Sequence, residues 1–76
     1  MENNIAVIVH FTRAGLVTVS VPALKKRVIR KRNYNLSIEG NIIRLIPEVL
    51  PKGNYTGMMA PLGPNKYVLI VTQEEE

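Results

Sequence analysis

Six of the ten residues Ala23–Arg32 are Lys or Arg, and none is acidic. Lys25, Lys26, Arg27, Arg30, Lys31 and Arg32 form the densest block of charge in the chain. Clustered cations attract a polyanion and release its counterions, which is the chemistry of phosphate-backbone binding. Bond-making chemistry has no comparable source. One His, no Cys and scattered single carboxylates supply neither a nucleophile–base pair nor a carboxylate pair. They also supply no metal-ligand cluster, so no enzyme activity, metal or cofactor is expected. His10 falls in the register of a strand and reads as structural.

The charge is unevenly placed. From Arg13 to Lys66 there are ten basic residues and two acids, Glu39 and Glu48, a net +8 against +4 for the whole chain. Three of the other acids are the last three residues, Glu74–Glu76, which read as a solvated tail. A basic body of this kind suits nucleic acid or an anionic surface. The start, Met1–Glu2–Asn3–Asn4, has no signal-peptide pattern, and no apolar run nears the roughly 20 residues of a spanning helix. A soluble, cytoplasmic protein without membrane contact is expected.

The cations need an element to position them, and the residues just before define it. Gly15–Val21 alternates Val17, Val19 and Val21 with Thr18 and Ser20, a strand with one buried face. Pro22 cannot donate to a ladder but suits the first turn of a helix. The pattern predicts a short basic helix from Pro22 to about Arg30. At 100° per residue Leu24 and Val28 face the sheet, Lys26, Arg27 and Arg30 gather opposite, and Lys25 flanks the apolar stripe. Ile29 lies off the main apolar face, where a partner chain would meet it. Asn33 is suited to end that helix.

The remaining chain reads as sheet. Ile5–Phe11 is apolar on both faces, and Thr12–Arg13–Ala14–Gly15 is a turn with Arg13 at its tip. Tyr34–Glu39 and Ile42–Ile46 are expected as a hairpin about Glu39–Gly40–Asn41. Pro47 and Pro51 mark an internal boundary, and Tyr55–Ala60 and Lys66–Thr72 form a C-terminal hairpin about Pro61–Asn65. The expected fold is mainly β with one short helix, ordered β-β-α-β-β plus a C-terminal β-hairpin, within a single domain of residues 1–76. A chain of 76 residues buries a thin core, yet 46% of it is hydrophobic. That surplus points to a shared core, hence a homodimer or higher oligomer.

Phe11–Pro22, with a basic helix after it and Tyr34–Pro47 beyond, resembles the swapped-hairpin DNA-binding domains of the AbrB/MazE/SpoVT type over about residues 5–47. The resemblance leaves 48–76, the C-terminal hairpin and acidic tail, unexplained. It implies a swapped-hairpin barrel completed by two chains, and a transcription regulator or antitoxin that binds double-stranded DNA. By position it implies contacts from Arg13 in the turn and from Lys25, Lys26 and Arg27 after Pro22; Arg30, on the same helix side, joins them. The chain departs from the pattern at Leu24, two rather than three places after the proline, and at Ile29–Asn33, where a Leu-Gly-Leu type turn is usual.

Two other functions compete. A structural or interaction protein would use the β-rich surfaces to build an assembly, or dock a protein partner through the C-terminal hairpin. A single-strand nucleic-acid binder would need rings set among the cations, and Phe11, Tyr34, Tyr55 and Tyr67 all stand outside the basic block.

Overall fold

The computed structural model describes residues 4–74. The first two strands form where apolar and polar residues alternate. β1 (Asn4–Phe11) and β2 (Leu16–Val21) pair antiparallel, with Val9 opposite Val19. Val7, Val9, Phe11, Val17, Val19 and Val21 point to one side and are buried. Gly15 takes φ +78° in the turn between the strands, and a Cβ there would stand 3.2 Å from the Tyr34 hydroxyl.

Pro22 does not begin the expected helix over Pro22–Arg30. Pro22–Leu24 make a single 3-10 turn, closed by Lys25 at φ 53°, whose N–H donates to the Pro22 carbonyl at 3.1 Å. The chain then returns beside β2 as β3 (Lys26–Lys31), with Val28 opposite Val19. An isolated helix of about nine residues is marginal in water, whereas a ladder to a strand already in place satisfies the backbone at once. Leu24 and Val28 therefore do not share a helix face; Leu24 is exposed and Val28 half-buried on the sheet. Asn33 ends no helix and lies in the following loop.

The hairpin expected across Tyr34–Ile46 is replaced by α1 (Ile38–Val49). Ser37 caps it, its hydroxyl accepting the Gly40 N–H at 3.0 Å. Ile38, Ile42, Leu45 and Val49 follow the helical period and pack on the sheet. The helix stops at Leu50, held extended by the proline that follows it. Of the two prolines expected to mark a boundary, Pro47 lies inside α1 and Pro51 lies in the connection from α1 to β4. The fold is mainly β with one helix, as expected, but its order is β-β-β-α-β-β.

β4 (Tyr55–Gly63) and β5 (Lys66–Gln73) close the sheet through Pro64–Asn65, with Asn65 at φ 59°. β5 pairs with β1, giving the order β3-β2-β1-β5-β4 with all neighbours antiparallel. α1 lies chiefly over β2 and β3. It covers one half of one face and leaves β5 and β4 without a helix above them. Glu74 is exposed; Glu75 and Glu76, the rest of the acidic tail, lie outside the described residues.

Candidate nucleic-acid interface

A strand distributes side chains differently from a helix. Successive residues of β3 alternate between the two faces of the sheet. Arg27 and Lys31 stand opposite Ser20 and Leu16, and so rise from the open face, with Ile29 between them. Lys26 and Arg30 stand opposite Val21 and Val17, and so project on the α1 side. The single cationic side expected of a helix is not formed. Lys25 is exposed at the end of the 3-10 turn. Arg13 is exposed in the β1–β2 turn at the other end of the hairpin, about 20 Å away for six residues at ~3.3 Å.

Arg30 already has a structural partner. Its guanidinium donates to Glu48 Oε1 at 2.6 Å and to the Ile29 carbonyl at 2.9 Å, tying β3 to α1. Two cations outside the expected site are similarly engaged. Arg44 donates to the Lys31 carbonyl at 2.7 Å. Arg32 lies between two rings, 4.9 Å from the centroid of Phe11 and 5.1 Å from that of Tyr34. Arg30, Arg32 and Arg44 thus hold the β3–α1 corner together, while Lys25, Lys26, Arg27 and Lys31 have no acidic partner among the described residues.

The open face acquires members that the sequence did not nominate. His10 stands opposite Thr18 on one side and Lys66 on the other, so all three share this face. Arg27, Lys31, His10 and Lys66, with the hydroxyls of Thr18 and Ser20, surround a centre of Ile8, Val68 and Ile70. None of the five strands carries a carboxylate. Glu39 and Glu48 are on α1 and Glu74 follows β5. The strands place no Phe or Tyr on this face, whose one ring is the imidazole of His10: Phe11 and Tyr67 meet edge-to-face on the α1 side, 6.0 Å between centroids. Strand alternation in Lys26–Lys31 was the signal that would have identified Lys31; Lys66 needed the β1–β5 pairing, which joins residues 56 apart.

Among the described residues no three His, Asp or Glu side chains come together as a metal site. Among the described residues no helix is long and apolar enough to cross a membrane. No family model matches the chain, and neither a curated protein nor a solved structure matches it.

Proposed function

We propose that the chain binds double-stranded DNA through the open face of its sheet and the β3 edge. The observation that carries this reading is the sidedness of charge: Arg27, Lys31 and Lys66 share a face, and none of the five strands that build it contains a carboxylate. Arg27 and Lys31 are about 13 Å apart along β3, and Lys66 lies about 14 Å across the sheet from Arg27's strand. Cations spread at this spacing suit a phosphate backbone better than one small anion. The apolar centre then meets sugars and the groove floor, as in other sheet-based readers. With His10 as its one ring, the face favours duplex over single strand, because single-strand binders stack successive bases on several aromatic side chains.

Arg13 and Lys25 extend this surface at its two ends, and Lys26 reaches from the edge; Arg30 is assigned to stability. The narrower reading, a transcription regulator or antitoxin-like protein acting as a swapped-hairpin homodimer, draws its support from the Phe11–Pro22 segment of the sequence. A mobility-shift titration of a duplex at several salt concentrations tests the proposal. If about six to eight phosphates are neutralised per dimer, log affinity falls with log salt at a slope of about −5 to −7. Salt-independent binding, or tighter binding to the single strand, overturns it.

One observation favours an interaction protein instead. β4 is an edge strand without a single charge, exposing Met58 and Leu62, whereas β3 at the opposite edge is guarded by four cations.

A further inference from the structure

α1 is apolar over more of its circumference than one sheet requires. Taking 100° per residue, the arc from Leu45 and Ile38 through Ile42, Ile46 and Ile43 to Pro47 spans roughly 200°, twice the stripe that covers a single core. Only Glu39 interrupts it. Half of the arc packs down on β2 and β3. The other half, Ile43, Ile46 and Pro47, faces sideways and forms one wall of a groove of about 500 Å³. The floor of that groove is Tyr55, Gly57 and Met59 of β4 with Leu69 and Val71 of β5. Ile43 is 67% exposed there, a large cost to leave in water for a chain with so small a core.

We infer that two copies of this chain pack through the groove, each laying its α1 over the uncovered β5–β4 half of the other's sheet. The dimensions fit this occupant. Helices pack with axes 8–10 Å apart, and a second helix about 10 Å from the first, two strand spacings away, would sit over β5. The groove lacks one helix with an apolar flank, and the chain has one helix with a spare apolar flank. A two-fold axis near Ile43 satisfies both copies by the same contact, as an isologous interface must. The α1 side of the sheet measures roughly 27 by 24 Å for eight residues and five strands, on the order of 600 Å² in projection. That is the scale of the roughly 800 Å² per partner buried in a specific dimer. Gly57 keeps the floor low, since a Cβ there would stand 3.1 Å from Val71 Cγ1 and 3.2 Å from Leu69 Cδ1.

The interface leaves the open face and the β3 edge free, so its test is separate from any DNA measurement. Light scattering and sedimentation of the full chain across a dilution series should give a dimer, with a melting temperature that rises with concentration. Ile43→Asp should weaken the dimer roughly tenfold or more while the circular-dichroism spectrum stays native. The chain has no cysteine, so Ile43→Cys places one thiol per copy beside the two-fold axis. It should join two chains through a short bifunctional maleimide, and Met58→Cys, on the opposite face, should not. A wild-type monomer at every concentration overturns the inference. So does cross-linking through Met58→Cys with none through Ile43→Cys, which would place the contact at the β4 edge or open face.

Discussion

Asn41 on α1 is completely buried and is tied to Asn33 in both directions. Its Nδ2 donates to the Asn33 carbonyl at 2.9 Å, and its Oδ1 accepts the Asn33 N–H at 2.8 Å. The same Nδ2 reaches the Ser37 carbonyl at 2.9 Å. One side chain therefore satisfies the backbone of the loop that carries the chain from β3 into α1.

Asn41→Ala leaves the half-buried Asn33 N–H and the Asn33 and Ser37 carbonyls without these partners, at about 1–3 kcal/mol for each group that water cannot reach. A loss of about 2–4 kcal/mol in chemical denaturation is expected. Asn41→Asp should be no better, since it accepts but no longer donates. A loss below about 1 kcal/mol would show that water enters the loop.

Lys25 separates stability from binding. A non-glycine residue in the left-handed region costs roughly 1 kcal/mol relative to glycine. Lys25→Gly should raise the melting temperature by a few degrees and at the same time weaken duplex binding and flatten its salt dependence. A variant more stable and equally tight would remove Lys25 from the interface.

The β3 cations should divide by face. Arg27→Ala and Lys31→Ala, each removing one cation from both copies, should each reduce the per-dimer salt slope by about two units. Arg13→Ala should also weaken binding, as an end contact. Arg30→Ala should leave the slope unchanged. Its pair with Glu48 is half exposed, with side chains 52% and 36% accessible, so its loss should cost no more than about 1 kcal/mol. Each buried valine beneath it contributes more, about 1.5–3 kcal/mol. A mobility-shift series with denaturation of the same variants decides this.

The two segments that departed from expectation did so for related reasons. Lys26–Lys31 has only Val28 and Ile29 as apolar residues, so its strand period is hidden under charge, and the preceding proline imitates a helix start. The strand exists because β2 offers it a ladder. In Ser37–Leu50 the helical period of Ile38, Ile42, Leu45 and Val49 was present, with Ser37 as its cap. Gly40–Asn41 imitates a hairpin turn and Pro47 a stop, and both are tolerated inside α1. Asn41 is there to bond a loop, which no local pattern announces.

What the chain's own order of residues determined is local: the alternating valines of β1 and β2, the C-terminal hairpin, the left-handed turn at Gly15, and a cationic block. Tertiary structure alone decided which face each cation occupies and which ones are spent on Glu48, Phe11 and Tyr34. The physical reason is that a charged side chain reports little about its own backbone. A strand sends neighbouring residues to opposite sides, and its existence depends on a partner strand distant in sequence.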